Sequence, residues 1–153
     1  MTFSEHAAQT RGSIVYYLVT YSIHLLAFYV FIVNWFVPAF RLPTIFTVVT
    51  VVAVLGELVA LLVPTTGGRK TMVHDAASFL MLALLVPLSG MIAVSHHFTD
   101  FVRIFAALVV VVMVGICVLF VFHKSAKKCQ LIYQVVYGGS FHLLILFAII
   151  TRL

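Results

Sequence analysis

Three ionisable side chains stand in stretches otherwise made of hydrocarbon: His24, Glu57 and His142. A carboxylate there can bind a proton or a cation, and an imidazole can exchange a proton near neutral pH or ligate a metal through a ring nitrogen. Such groups are costly in an apolar medium, so each either satisfies a polar neighbour or takes part in binding or transport. The plainer role is packing, in which Glu57 and a histidine satisfy each other or nearby Thr and Tyr hydroxyls. A fourth locus is the adjacent pair His74 and Asp75, just after Arg69 and Lys70. As an acid/base pair beside two cations it would suit a phosphate-bearing lipid headgroup. As a structural feature, Asp75 in the first turn of a helix would complement the macrodipole, and His74 would cap or bond Ser78 one turn on.

The elements that must position these groups follow from composition. The chain is 64% hydrophobic and 8% charged, with mean hydropathy +1.23 over 153 residues. A water-soluble domain carries about a quarter charged residues, so the apolar excess here has to face lipid. The +5 net charge lies mostly between apolar runs. It is therefore read as topology signal and headgroup contact, and nucleic acid is not an expected partner. A bilayer crossing needs about 20 apolar residues. On that measure the expected fold is all-α: one integral membrane domain over residues 1–153, a transmembrane helical bundle with spans at about 13–36, 44–63, 74–94, 101–122 and 130–151. Ala7 to Gly12 is polar and does not read as a removable signal.

Within these spans, Tyr16, Tyr17, Trp35 and Phe36 are aromatics of the kind found at membrane interfaces. Thr47, Thr50, Ala53, Gly56, Glu57 and Ala60 fall near one face of the second span, where small residues permit close helix packing. Pro87 lies inside the third span and removes the donor for the Ala83 carbonyl, predicting a kink. Placing Arg11, Arg69, Lys70, Lys124, Lys127 and Lys128 on the cytoplasmic side leaves Arg41, Arg103 and Arg152 outside, which favours N-in and C-out. Cys117 and Cys129 fall at different depths, which disfavours a disulfide.

In that topology His24 and His142 reach similar depth near mid-membrane, with Glu57 nearer the inner surface. His24 shares its face with Tyr17, Thr20 and Tyr21, and His142 with Gln134 and Gly138, so both histidines are expected to point into protein. Two histidines at one depth could be axial ligands of a b-type haem, with His74 and His123 as a second pair, although no attachment motif accompanies them. His96, His97 and Asp100 are too few and too close in sequence for a closed zinc site. Gly67-Gly68-Arg69-Lys70-Thr71 lacks the preceding strand and the glycine spacing of a phosphate loop. No nucleophile with an adjacent base presents itself, which argues against an enzyme.

Val63-Pro64-Thr65-Thr66-Gly67, followed after a short spacer by His74-Asp75, Ala77 and Phe79, resembles a bacterial domain-of-unknown-function membrane family, number 998. That family looks related to the Frag, DRAM and Sfk membrane proteins. Tyr133-Gln134-Val135-Val136-Tyr137 with Ser140-Phe141-His142 is similar to the last span of some members, so the resemblance covers about the second half of the chain. The family often has six or more spans where this chain has five. The resemblance implies a bacterial inner-membrane protein with His74 and Asp75 as the matching pair, and supplies no substrate or cofactor.

The leading expectation is a small multi-pass membrane protein without enzymatic activity. Its polar interior at His24, Glu57 and His142, and its cytoplasmic turn at Arg69, His74 and Asp75, would bind a small ligand or lipid headgroup. The alternatives are a haem redox protein using His24 and His142, and a proton- or ion-conducting subunit built on Glu57. Partners would be the lipid bilayer, other membrane proteins or further copies of the chain.

Overall fold

The computed structural model describes residues 11–63, 68–122 and 130–152. Among the described residues the chain is helical, without strands. Helix α1 spans Arg11–Phe31 and runs on through a π-helical turn, Ile32–Phe36, and a last α-turn, Val37–Ala39. It is followed by α2 (Thr44–Leu62), α3 (Gly68–Val94), α4 (Asp100–Phe122) and α5 (Gln130–Ile150). All five are long and apolar enough to cross a membrane.

Two boundaries differ from expectation. The first helix continues past Phe36 and through Pro38 to Ala39. The widened π turn lies immediately upstream of Pro38, whose ring would otherwise press on the Asn34 carbonyl of a regular helix. The third helix begins at Gly68, with φ +62°, rather than at His74. Arg69, Lys70 and Met72 are good helix formers and simply extend it. Asp75 consequently stands in the second turn, beyond the first-turn position assigned to it.

Contacts gather into two compact units, residues 2–84 and residues 85–153. The division falls inside α3, beside the Ala83 carbonyl that Pro87 deprives of a donor.

The first unit holds α1, α2 and the N-terminal part of α3. At the α1–α2 turn the Phe36 ring lies 4.8 Å from Phe40 and 6.3 Å from Phe46, and all three are buried. The turn itself is a Schellman cap. The Leu42 N–H donates to the Val37 carbonyl (3.0 Å) and the Arg41 N–H to that of Pro38 (3.2 Å). This cap places its second-last residue in the left-handed region, usually as glycine; here it is Arg41, with φ +48°. Pro43, extended at ψ 153°, then starts α2. The buried face of α2 carries Phe46, Thr50, Ala53, Gly56, Ala60 and Leu61, which includes most of the small-residue face read from the sequence. Val63 leaves the helix at ψ 105°, as the residue before a proline tends to do.

The second unit holds the rest of α3, with α4 and α5. Thr99 caps α4 by accepting the Val102 N–H on its side-chain oxygen (3.4 Å), and Asp100 follows in the first turn. Val102, Ala106, Val109, Met113 and Ile116 are buried along α4, and Tyr137, Phe141, Leu144 and Ala148 along α5. Alternating steps of four and three are the seam spacing of helices that cross at a shallow left-handed angle. Phe147 closes the far end against Phe101 (5.8 Å) and Phe105 (5.2 Å).

Candidate functional site

Glu57 is carried by α2 immediately after Gly56, and the glycine decides what surrounds it. A Cβ at position 56 would lie 3.2 Å from the Ala77 carbonyl oxygen and 3.5 Å from the Met81 amide nitrogen. The bare glycine thus lets the α3 backbone lie directly against α2, one residue from the carboxylate. From α1, the Tyr21 hydroxyl is hydrogen-bonded to Glu57, and Tyr17, one turn earlier, is within its electrostatic reach. From α3, His74 is close enough to act on Glu57 electrostatically.

His74 is also anchored. Its Nδ1 lies 2.9 Å from the carbonyl oxygen of Val63, the residue that ends α2. A carbonyl only accepts, so Nδ1 carries the hydrogen, and Nε2 is left as the acceptor of a neutral ring or a second donor of a charged one. The final carbonyls of a helix lack intrahelical donors and carry partial negative charge, so an imidazole N–H is well matched to this end. Glu57 stands six residues before Val63 in the sequence, about 9 Å along the helix axis at 1.5 Å per residue. A phenol, a carboxylate and an imidazole, each able to carry a proton, therefore extend from inside α2 to its end. All three are half-buried.

Of the residues singled out in the sequence, the structure places His74 within electrostatic reach of Glu57. Asp75 is exposed, and it projects about 100° round the helix from His74, so the two do not converge as an acid/base pair. Arg69 and Lys70 are exposed in the first turn of α3. His24 is exposed, in contrast to the inward direction expected from its stripe, and its ring lies 6.2 Å from both Tyr21 and Phe28. Three residues past Tyr21 is about 60° of rotation back round the helix, enough to carry the imidazole toward the uncovered side. His142 belongs to the other unit and is likewise exposed, its Nδ1 donating to the Gly138 carbonyl one turn back at 2.8 Å. Gln134 and Gly138 do share its side of α5, but the buried side is the one bearing Tyr137, Phe141 and Leu144.

Several other polar groups are satisfied locally. Asp100 pairs with Arg103 (2.8 Å), whose Nε donates to the Ala93 carbonyl (3.2 Å) and ties the α3–α4 turn. His96 and His97 are exposed in that turn. Ser89 donates to the Leu85 carbonyl (2.9 Å) and faces the Met113 sulfur (3.8 Å), and the Cys117 thiol faces the Tyr137 hydroxyl (3.9 Å). Among the described residues no three or more His, Cys, Asp or Glu side chains are grouped to hold a metal ion. His123, Cys129 and Gly67 lie outside the described residues, so the second histidine pair and the thiol pair fall there too.

Sequence reasoning missed Tyr21 as the partner of the carboxylate. The available signal was Tyr17 and Tyr21 at i and i+4, a hydroxyl-bearing pair on one face of a spanning helix. Their stripe pointed to Glu57 rather than to His24. No family model, no curated protein and no solved structure matches the chain.

Proposed function

We propose that the chain is a multi-pass membrane protein that takes up and passes a proton at Glu57, with His74 connecting the carboxylate to the membrane face where α2 ends. One observation carries the reading: inside a helix apolar enough to span a bilayer, the Glu57 carboxylate is hydrogen-bonded by Tyr21 of a second helix and lies within electrostatic reach of His74 of a third. Ionisable residues within spanning helices mark ion pathways and proton relays in pumps and transporters. With the basic residues favouring an N-in, C-out arrangement, the His74 end is cytoplasmic. The lipid-headgroup reading is less well supported, because it needs His74, Asp75 and Arg69 to converge. The Nδ1 of His74 is engaged by Val63, and Asp75 projects from another side of α3.

The test is proton flux into liposomes containing the purified full chain, driven by a pH step and read with an entrapped dye. Wild type conducts protons, and Glu57→Gln, which keeps the shape and removes the ionisable group, does not. Equal flux in both proteins, or none in wild type, refutes the proposal.

A further inference from the structure

The two ends of α2 differ in what lies beside them. Toward its C-terminal end, polar groups continue from Glu57 to the surface. There the His74 imidazole bonds the Val63 carbonyl at 2.9 Å, and Arg69 and Lys70 are exposed in the first turn of α3. Toward the α1–α2 turn the lining becomes hydrocarbon. The buried face of α2 runs back from Gly56 through Ala53 and Thr50 to Phe46. The Thr50 hydroxyl donates to the Phe46 carbonyl at 2.8 Å, so its hydrogen is held within its own helix. Phe46 lies eleven residues before Glu57, about 16 Å along the axis at 1.5 Å per residue. Beside it, the π turn of α1 buries both its end residues, Ile32 and Phe36, and Phe40 and Leu42 of the connecting turn are buried as well. The Phe36 ring is 4.8 Å from that of Phe40 and 6.3 Å from that of Phe46, both within the usual range of aromatic pairs. Three rings therefore close this end of the α1–α2 pair.

We propose that Glu57 exchanges its proton directly with one membrane face only, the face where α2 ends, and that the Phe36–Phe40–Phe46 layer is the barrier toward the other, with Phe46 the residue that sets it. The inference rests on proton uptake at Glu57 and adds a direction to it. A proton crosses a span on groups that donate and accept, or on water that such groups hold, and a layer of rings offers neither. Hydrophobic constrictions gate channels in this way, by losing their water. The layer is built on a π turn, an element that occurs frequently at functional sites. Conduction through the chain is then limited at this layer rather than at His74.

Direction is read in liposomes that hold the purified full chain in one known orientation. The carboxyl stretch that is lost in Glu57→Gln is followed by infrared spectroscopy after a pH step on one face at a time. The band responds at least about tenfold faster to a step at the face where α2 ends, a floor set by the cost of a charge in hydrocarbon. Phe46→Ser opens room and adds a hydroxyl one turn from Thr50, which gives water a polar site. It brings the response from the far face up to that from the near face, whereas Phe46→Leu leaves it slow. Equal rates from the two faces in wild type, a faster response from the face of the α1–α2 turn, or a far-face rate unmoved by Phe46→Ser would each overturn this inference and leave proton uptake at Glu57 standing. Absence of any titrating Glu57 band overturns both. The comparison of the two faces in wild type decides alone should Phe46→Ser impair insertion.

Discussion

Gly56 sets the spacing between the helices that carry Glu57 and His74, and replacing it has a cost that can be worked from the contacts. In Gly56→Ala the new Cβ meets the Ala77 carbonyl oxygen at 3.2 Å, where ordinary contact begins at 3.4 Å, so the α3 backbone must give by 3.4 − 3.2 = 0.2 Å. The Met81 contacts, at 3.5 and 3.6 Å, are already ordinary. Overpacking of this kind costs about 1–2 kcal/mol, and the better helix propensity of alanine returns about 1 kcal/mol, leaving a net loss of about 1 kcal/mol or less. Gly56→Leu adds branched atoms where the α3 backbone already stands. It should cost about 3 kcal/mol and part the two helices. Unfolding in detergent by stepwise addition of SDS measures both. The signal is the fluorescence of Trp35, the single tryptophan, whose ring stacks 5.2 Å from Phe31 in the same unit. Proton flux should fall in Gly56→Leu because His74 is moved away from Glu57. A leucine variant as stable as the alanine variant would show that α2 and α3 do not meet at Gly56, and the site would lose its third helix.

The other perturbations are simpler. Arg41→Gly should stabilise the chain by about 1 kcal/mol in the same titration, because arginine at φ +48° carries the left-handed penalty while the Schellman bonds are backbone only. Unchanged or lower stability would refute that strain. Thr99→Ala removes the cap of α4 and should cost about 1 kcal/mol in thermal unfolding followed by circular dichroism; no change would mean that the Val102 N–H finds an equal partner. His74→Phe keeps a ring without its nitrogens and should reduce proton flux at least about tenfold while leaving Glu57 able to bind a proton. Flux equal to wild type would remove His74 from the path.

The five helices were legible because each is a long apolar run, and the packing face of α2 because Thr50, Ala53, Gly56 and Ala60 are small at helical spacing. Less legible was which polar residue faces protein and which faces outward. In a soluble helix an apolar stripe marks the core, but in a spanning helix lipid and protein are equally apolar, so the contrast that would orient α1 or α5 is missing. Stripes of hydroxyl and small residues point His24 and His142 inward, whereas both are exposed. The start of α3 was obscured by Gly67, Gly68, Arg69 and Lys70, which suggest a turn by composition although three of the four lie in the helix. The bond from His74 to the Val63 carbonyl could not be read at all. It depends on how α2 ends and α3 begins in space, not on either run alone.

Proton binding at Glu57 is read most simply from the infrared difference spectrum of the reconstituted protein between two pH values. A protonated-carboxyl C=O stretch should rise and fall reversibly with pH and vanish in Glu57→Gln. A spectrum without a titrating carboxyl band, or one that survives Glu57→Gln unchanged, would contradict proton binding at Glu57.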